Sequence, residues 1–146
     1  MADEPLSFAI QLAQEVGKLL FGYFQSDELH AELKSDRSVV TQADLEADRV
    51  IKLAIRRGYP DDFLLSEEVQ PGEAGLEIPP DRAVWIIDPL DGTTNFSLGL
   101  HYWGVLLARL VNGWPELAVL YFPAVNELYT AQRGRGACLN HEPLPG

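Results

Sequence analysis

The last third of the chain leaves little freedom in how it folds. Between residues 102 and 140, apolar runs follow one another with only short breaks. Residues 102–111 end at Asn112-Gly113, a dipeptide suited to the two-residue type I′ turn of a hairpin. Residues 117–122 return as the partner strand, and residues 123–126 turn the chain again. Residues 127–131 form a third strand, and Arg133-Gly134 leads into residues 136–140. Antiparallel strands can be joined by turns this short, whereas parallel strands need a crossover of about a dozen residues or more. The segment is therefore expected to be an antiparallel meander in one continuous sheet. The tail, residues 141–146, is polar and Pro-containing and closes no sheet edge, so the chain reads as interrupted at a connection.

What packs on that sheet comes first in the chain. Residues 6–24 carry Phe8, Leu12, Val16, Leu19 and Tyr23 at spacings of three and four, which makes one apolar stripe on a helix. Gly17 and Gly22 weaken that helix slightly or allow close packing. Residues 25–38 are polar and read as a loop. A second helix is signalled by Thr41 as N-cap with Asp44 three residues later, a capping-box-like pair. Its apolar face is Ala43, Ala47, Val50, Ile51, Ala54 and Ile55; Gly58 and Pro60 end it. Asp48 lies one turn beyond Asp44, and two like charges on one face are mildly unfavourable unless a cation is near. A short strand, residues 63–65, runs into Ser66-Glu67-Glu68, where at most one glutamate faces a given side. Residues 69–82, rich in Pro, Gly and acid, read as a surface loop. The expected fold is α+β: two N-terminal helices on a mainly antiparallel sheet, with residues 1–146 as a single domain.

Between the helices and the meander stands WIIDPLDGTTNF, residues 85–96. It opens as a buried strand, breaks at Asp88-Pro89, turns through Asp91-Gly92, and ends in Thr93-Thr94-Asn95, residue types that favour a helix N-cap. A strand end, a turn and a helix start can gather carboxylates and free backbone N–H groups around one point, as divalent cations and phosphate require. Most strands ending in Asp-Gly are simply turns. The alternate carboxylates of an EF-hand are missing, and the two aspartates are spaced one residue too far apart for an aspartyl-nucleophile phosphatase.

Composition narrows the function. Asp plus Glu number 22 against 11 Lys plus Arg, a net charge of -11. That balance argues against nucleic acid as a partner, since phosphate backbones need a basic face. The single cysteine, Cys138, allows no intrachain disulfide and no thiolate metal site. The N-terminus is acidic where a signal peptide is basic, and no apolar run is long enough to span a membrane, so a cytoplasmic protein is expected. Four acids sit at element ends: Asp44, Glu67, Asp88 and Asp91. Converged on one loop they would repel one another unless cations were bound. Mg²⁺, two or more ions, suits such an all-oxygen set. The Thr93 hydroxyl can then hold a nucleophilic water beside Glu67.

The segments VVTQAD (ending at Asp44), SEE (66–68), WIIDPLDGTTNF and ELYTAQRGRGA (from Glu127) together resemble the inositol monophosphatase family in order and spacing. The resemblance implies the N-terminal part of that family's layered fold and Mg²⁺-dependent hydrolysis of a small phosphate monoester, with inositol monophosphate first. Fructose 1,6-bisphosphate, histidinol phosphate and a 3′-phosphoadenosine nucleotide are the alternatives, as is a catalytically incomplete metal-binding fragment. By resemblance, Glu67, Asp88, Asp91 and the Leu90 carbonyl would hold metal, while Asp44 and Thr93 help activate the water. Gly92, Thr93 and Thr94 would face the phosphate; Lys34 and Glu68 would support the site. Homodimers are common in the family. Its members are longer, and the W-D-x-A-A-G motif of their second half, whose Asp completes the metal site, does not occur in these 146 residues.

Overall fold

The computed structural model describes residues 4–26, 38–67 and 78–146, with only the backbone at positions 38 and 39. Helix α1 is Glu4–Phe24 and helix α2 is Ser38–Gly58. Strands β1 (Phe63–Ser66) and β2 (Val84–Asp91) follow, then a short helix α3 (Thr93–Ser97). Strands β3 (Gly104–Val111), β4 (Trp114–Phe122), β5 (Glu127–Gln132), β6 (Gly136–Leu139) and β7 (Glu142–Pro143) complete the chain, with a 3₁₀ turn at Pro123–Val125. The seven strands lie in chain order in one sheet. Only β1 and β2 are parallel; every later pair is antiparallel. The two long helices packed on this mixed, mostly antiparallel sheet match the α+β expectation. The loops expected at 25–38 and 69–82 lie largely outside the described residues.

The meander follows its turn chemistry. Asn112 and Gly113 both have positive φ, 52° and 79°, as a type I′ turn requires. The tail adds a two-residue strand, β7, paired with β6, beyond the last strand expected.

The helices cover one face of the sheet. Trp85 and Ile87 of β2, Val105 and Leu107 of β3, and Leu117 and Val119 of β4 alternate inward and are buried beneath them. From α2, Ala43, Ala47, Ile51 and Ile55 enter the same core as expected. The buried stripe of α1 is Ala9, Leu12, Ala13, Val16, Gly17, Leu20 and Phe24, rotated from the expected one. Phe8, Leu19 and Tyr23 sit at its flanks, half-buried. The small residues explain the rotation: they let the helix backbone approach the sheet. A Cβ at Gly17 would stand 2.5 Å from the Tyr121 ring. No comparable contact meets Gly22.

Two boundaries differ from expectation. Helix α2 begins at Ser38, so Thr41 is inside the helix, not its N-cap, and Asp44 is not part of a capping box. Strand β2 does not break at Asp88-Pro89 but continues to Asp91. It does so through a bulge: Asp88 faces Leu106 and Asp91 faces Gly104, so three steps on β2 match two on β3. A bulge is where a strand tolerates proline, because the inserted residue leaves the ladder.

The other face of the sheet carries an apolar groove of about 500 Å³, lined by Leu65, Ile86, Leu106, Ala108, Ala118 and Leu120. Leu65 and Ile86 remain exposed there.

Candidate active site

The bulge sets the site. It brings Asp88, Leu90 and Asp91 to the end of β2, and Gly92 then reverses the chain into α3. Gly92 has φ 83° and is the residue that caps α3, so Thr93, Thr94 and Asn95 form the first helical turn and none of the three is the N-cap. A Cβ at Gly92 would meet the Tyr102 carbonyl at 3.1 Å and Trp103 Cα at 3.3 Å. Positive φ and this close approach together select glycine.

The turn is anchored from behind. Phe96 and Trp103 are fully buried, with ring centroids 4.8 Å apart, edge to face. Phe24, at the end of α1, packs on both, at 5.4 and 5.2 Å. The side-chain Nδ2 of Asn95 donates to the Tyr102 carbonyl at 2.8 Å, tying the start of α3 to the approach to β3.

Around this turn is a cavity of about 450 Å³ lined by Asp44, Glu67, Asp88, Leu90, Asp91, Gly92, Thr93, Thr94 and Asn95. Asp44 comes from α2 and Glu67 from the residue after β1. The Glu67 N–H donates to the Ile87 carbonyl at 3.1 Å, which carries the parallel pairing one residue past the strand. Every described residue expected at the site therefore lines one cavity. Lys34 and Glu68 lie outside the described residues. Asn95 was not among the expected site residues; its only sequence signal was its place in the Thr-Thr-Asn run.

The electrostatics centre on Asp88. Burial first, then the adjacent carboxyl of Glu67 and the charge of Asp91, push Asp88 from 3.8 up to about 7, with the Leu90 backbone N–H acting in the opposite direction. Its Oδ1 is buried and has no hydrogen-bond partner among the described residues. Such an atom is costly unless something electropositive meets it. Among the described residues no group of three or more Asp, Glu, His or Cys side chains is arranged to hold a metal ion by itself. The oxygen donors line the cavity without closing on one point. The set is all oxygen: carboxylates, main-chain carbonyls and threonine hydroxyls. It fits a hard divalent cation, and the partnerless Oδ1 of Asp88 is the observation that favours one.

One expectation about the acids changes. The cation beside Asp48 is Lys52, whose Nζ lies 2.9 Å from Asp48 Oδ2. The buried Asp48 therefore has a protein partner. It does not line the cavity with Asp44.

Among the described residues no helix is long and apolar enough to cross a membrane. The model of the inositol monophosphatase family matches residues 1–146. The chain is 40% identical over 139 residues to the histidinol-phosphatase of Chlorobaculum parvum, covering 95% of this chain and 52% of that one. It is 40% identical over 142 residues to the Nus factor SuhB of Escherichia coli K12, covering 97% and 52%. Among solved structures, inositol monophosphatase-II of Staphylococcus aureus superposes with a TM-score of 0.82 at 26% identity, covering 97% of this chain and 51% of that one. An IMPase from Thermotoga maritima gives 0.78 at 36% identity, covering 97% and 53%. The chain thus spans about half the length of the curated relatives it matches. With the family match running its whole length and the fold superposing on solved members, this chain belongs to the inositol monophosphatase family.

Proposed function

We propose that this chain carries the N-terminal, acid-rich part of a Mg²⁺-dependent phosphatase centre that hydrolyses inositol monophosphate. The observation that supports it most is the single cavity shared by Asp44, Glu67, Asp88, Asp91 and the Gly92-Thr93-Thr94 turn. Glu67, Asp88, Asp91 and the Leu90 carbonyl would hold two or more Mg²⁺ ions, which supply charge neutralisation at the phosphate and a lowered pKa for a water. Leu90 is suited to give its carbonyl, because its side chain is committed to the core. Thr93 and Glu67 orient the attacking water in line with phosphorus, and Asp44, facing them from α2, helps take up its proton. Gly92, Thr93 and Thr94 present backbone N–H and hydroxyl donors to the phosphate oxygens. Lys34 and Glu68 are assigned supporting roles. In this reading residues 1–146 are one domain-sized portion, and the longer protein is a cytoplasmic homodimer acting on a small molecule.

Two further readings each have an observation behind them. Histidinol phosphate is favoured by the 40% identity to a histidinol-phosphatase. A fragment that binds metal without turnover is favoured by the chain's covering only half of its relatives. Phosphate release by this chain, across a Mg²⁺ titration with both esters, separates the three. Mg²⁺-dependent release lost in Asp91→Asn supports the enzyme, and the faster ester names the substrate. Metal binding without release assigns the incomplete fragment. Turnover in Asp91→Asn close to the unsubstituted chain would sink the site assignment.

A further inference from the structure

Behind the acidic cavity lies a buried polar cluster that the proposed chemistry does not use. Asp48 is 2% exposed, Lys52 4% and Ser66 8%. Both oxygens of Asp48 are held. Ser66 Oγ donates to Oδ1 at 2.5 Å, and Lys52 Nζ lies 2.9 Å from Oδ2. The Lys52 pair is internal to α2, one turn apart. The Ser66 bond crosses from α2 to the last residue of β1.

Stability alone does not account for the cluster. A buried ion pair in a core is commonly matched or bettered by apolar side chains of similar volume, because two charges must be stripped of water. What an apolar cluster lacks is direction. A hydrogen bond to a carboxylate with its other oxygen already fixed constrains distance and angle together. Asp48 lies one helical turn, about 6 Å, from Asp44. Ser66 immediately precedes Glu67. One bond therefore ties the helix that carries Asp44 to the strand end that carries Glu67, and an apolar core would let the two slide.

We propose that Asp48, steadied by Lys52 and bonded to Ser66, is a positioning residue that sets Asp44 and Glu67 in register across the cavity. The inference rests on the metal-centre reading above and deepens it. Neither Asp48, Lys52 nor Ser66 lines the cavity, so their effect passes through the groups they hold.

The test is Mg²⁺ affinity of this chain by titration calorimetry, with melting temperature measured alongside. Ser66→Ala removes the crossing bond and leaves Asp48 paired with Lys52, so the fold is retained. Its Mg²⁺ Kd is expected to weaken about tenfold, the low end of what losing an outer partner of a metal site does. Ser66→Thr keeps the hydroxyl and should restore most of the affinity. The double variant Asp48→Leu with Lys52→Met removes both charges together. It should melt no lower than the unsubstituted chain and show the same weakened affinity, which a purely structural cluster would not produce. Ser66→Ala and the double variant binding Mg²⁺ as tightly as the unsubstituted chain would overturn the proposal. Asp91→Asn separates the layers. If it abolishes binding while Ser66→Ala does not weaken it, only the positioning role falls. If binding ignores Asp91→Asn, the metal-centre reading falls and this inference with it.

Discussion

Replacing Asp88 by asparagine should make the metal-free chain more stable at neutral pH while removing its ability to bind metal. The reasoning starts from the carboxyl's folded-state value of about 7 against 3.8 in the unfolded chain. Between those values the folded state keeps a proton that the unfolded state has released. Stability therefore falls as pH rises through that window; it is fully present below about pH 4, and the loss is complete above about pH 7. Three pH units correspond to a ceiling of about 4 kcal/mol. Asp88 is only half-buried, so solvent screening brings the realistic figure to about 1–2 kcal/mol. Asparagine has the same shape and no charge. Its amide can donate to Glu67 where a second carboxylate repels it.

The assay is thermal unfolding of both chains in chelator at pH 4.5 and at pH 8. At pH 4.5 the two should melt within a degree or two of each other, since Asp88 is protonated in the folded state. At pH 8 Asp88→Asn should melt roughly 2–8 °C higher, taking about 2–4 °C per kcal/mol for a chain of this size. An asparagine variant that melts lower at pH 8, or a difference that does not change between the two pH values, would refute the argument. It would mean that Asp88 ionises without penalty, so the cavity is wetter or less acidic than its lining implies. The expected pattern is that of a functional residue retained at a cost to the apo fold.

Two further outcomes follow from the same geometry. Mg²⁺ at a hundredfold excess over its Kd at pH 8 should stabilise the chain there by about 2.7 kcal/mol, and the same Mg²⁺ concentration should raise the melting temperature less at pH 5, where a proton competes for Asp88 and weakens the Kd; calorimetric scans at the two pH values check this. Gly92→Ala should cost about 1–3 kcal/mol in a denaturant melt, because alanine must adopt φ near 83° with its Cβ 3.1 Å from the Tyr102 carbonyl, and it should weaken Mg²⁺ binding by moving Asp91 and Thr93 on either side of it.

What sequence could show depended on whether a feature was local. The Asn112-Gly113 hairpin and the apolar face of α2 are each set within a few residues, and each is found where expected; of the four acids read at element ends, Glu67 and Asp91 are there, whereas Asp44 lies within α2 and Asp88 within β2. Features set by partners distant in the chain were not legible. Thr41-x-x-Asp44 has the form of a capping box, yet α2 runs through it from Ser38. Asp88-Pro89 has the form of a strand end, yet pairing with β3 carries β2 three residues further through a bulge. The stripe on α1 fits two neighbouring phases equally well, and the sheet chose the one whose Ala and Gly residues allow close contact. The acids show the limit most clearly. On the helix, Asp44 and Asp48 look equivalent, two carboxylates one turn apart. Lys52, four residues on, is a partner the helix itself offers Asp48; the tertiary structure adds Ser66 and the burial, and turns Asp44 toward Glu67, Asp88 and Asp91 in the cavity. A carboxylate whose charge is satisfied inside the protein can hold an element in place. Those gathered in the cavity, with Asp88 held near neutral pH and one of its oxygens unmet, are the ones a cation can still stabilise. Counting acids finds both kinds, and the difference between them lies in what the rest of the fold brings to each.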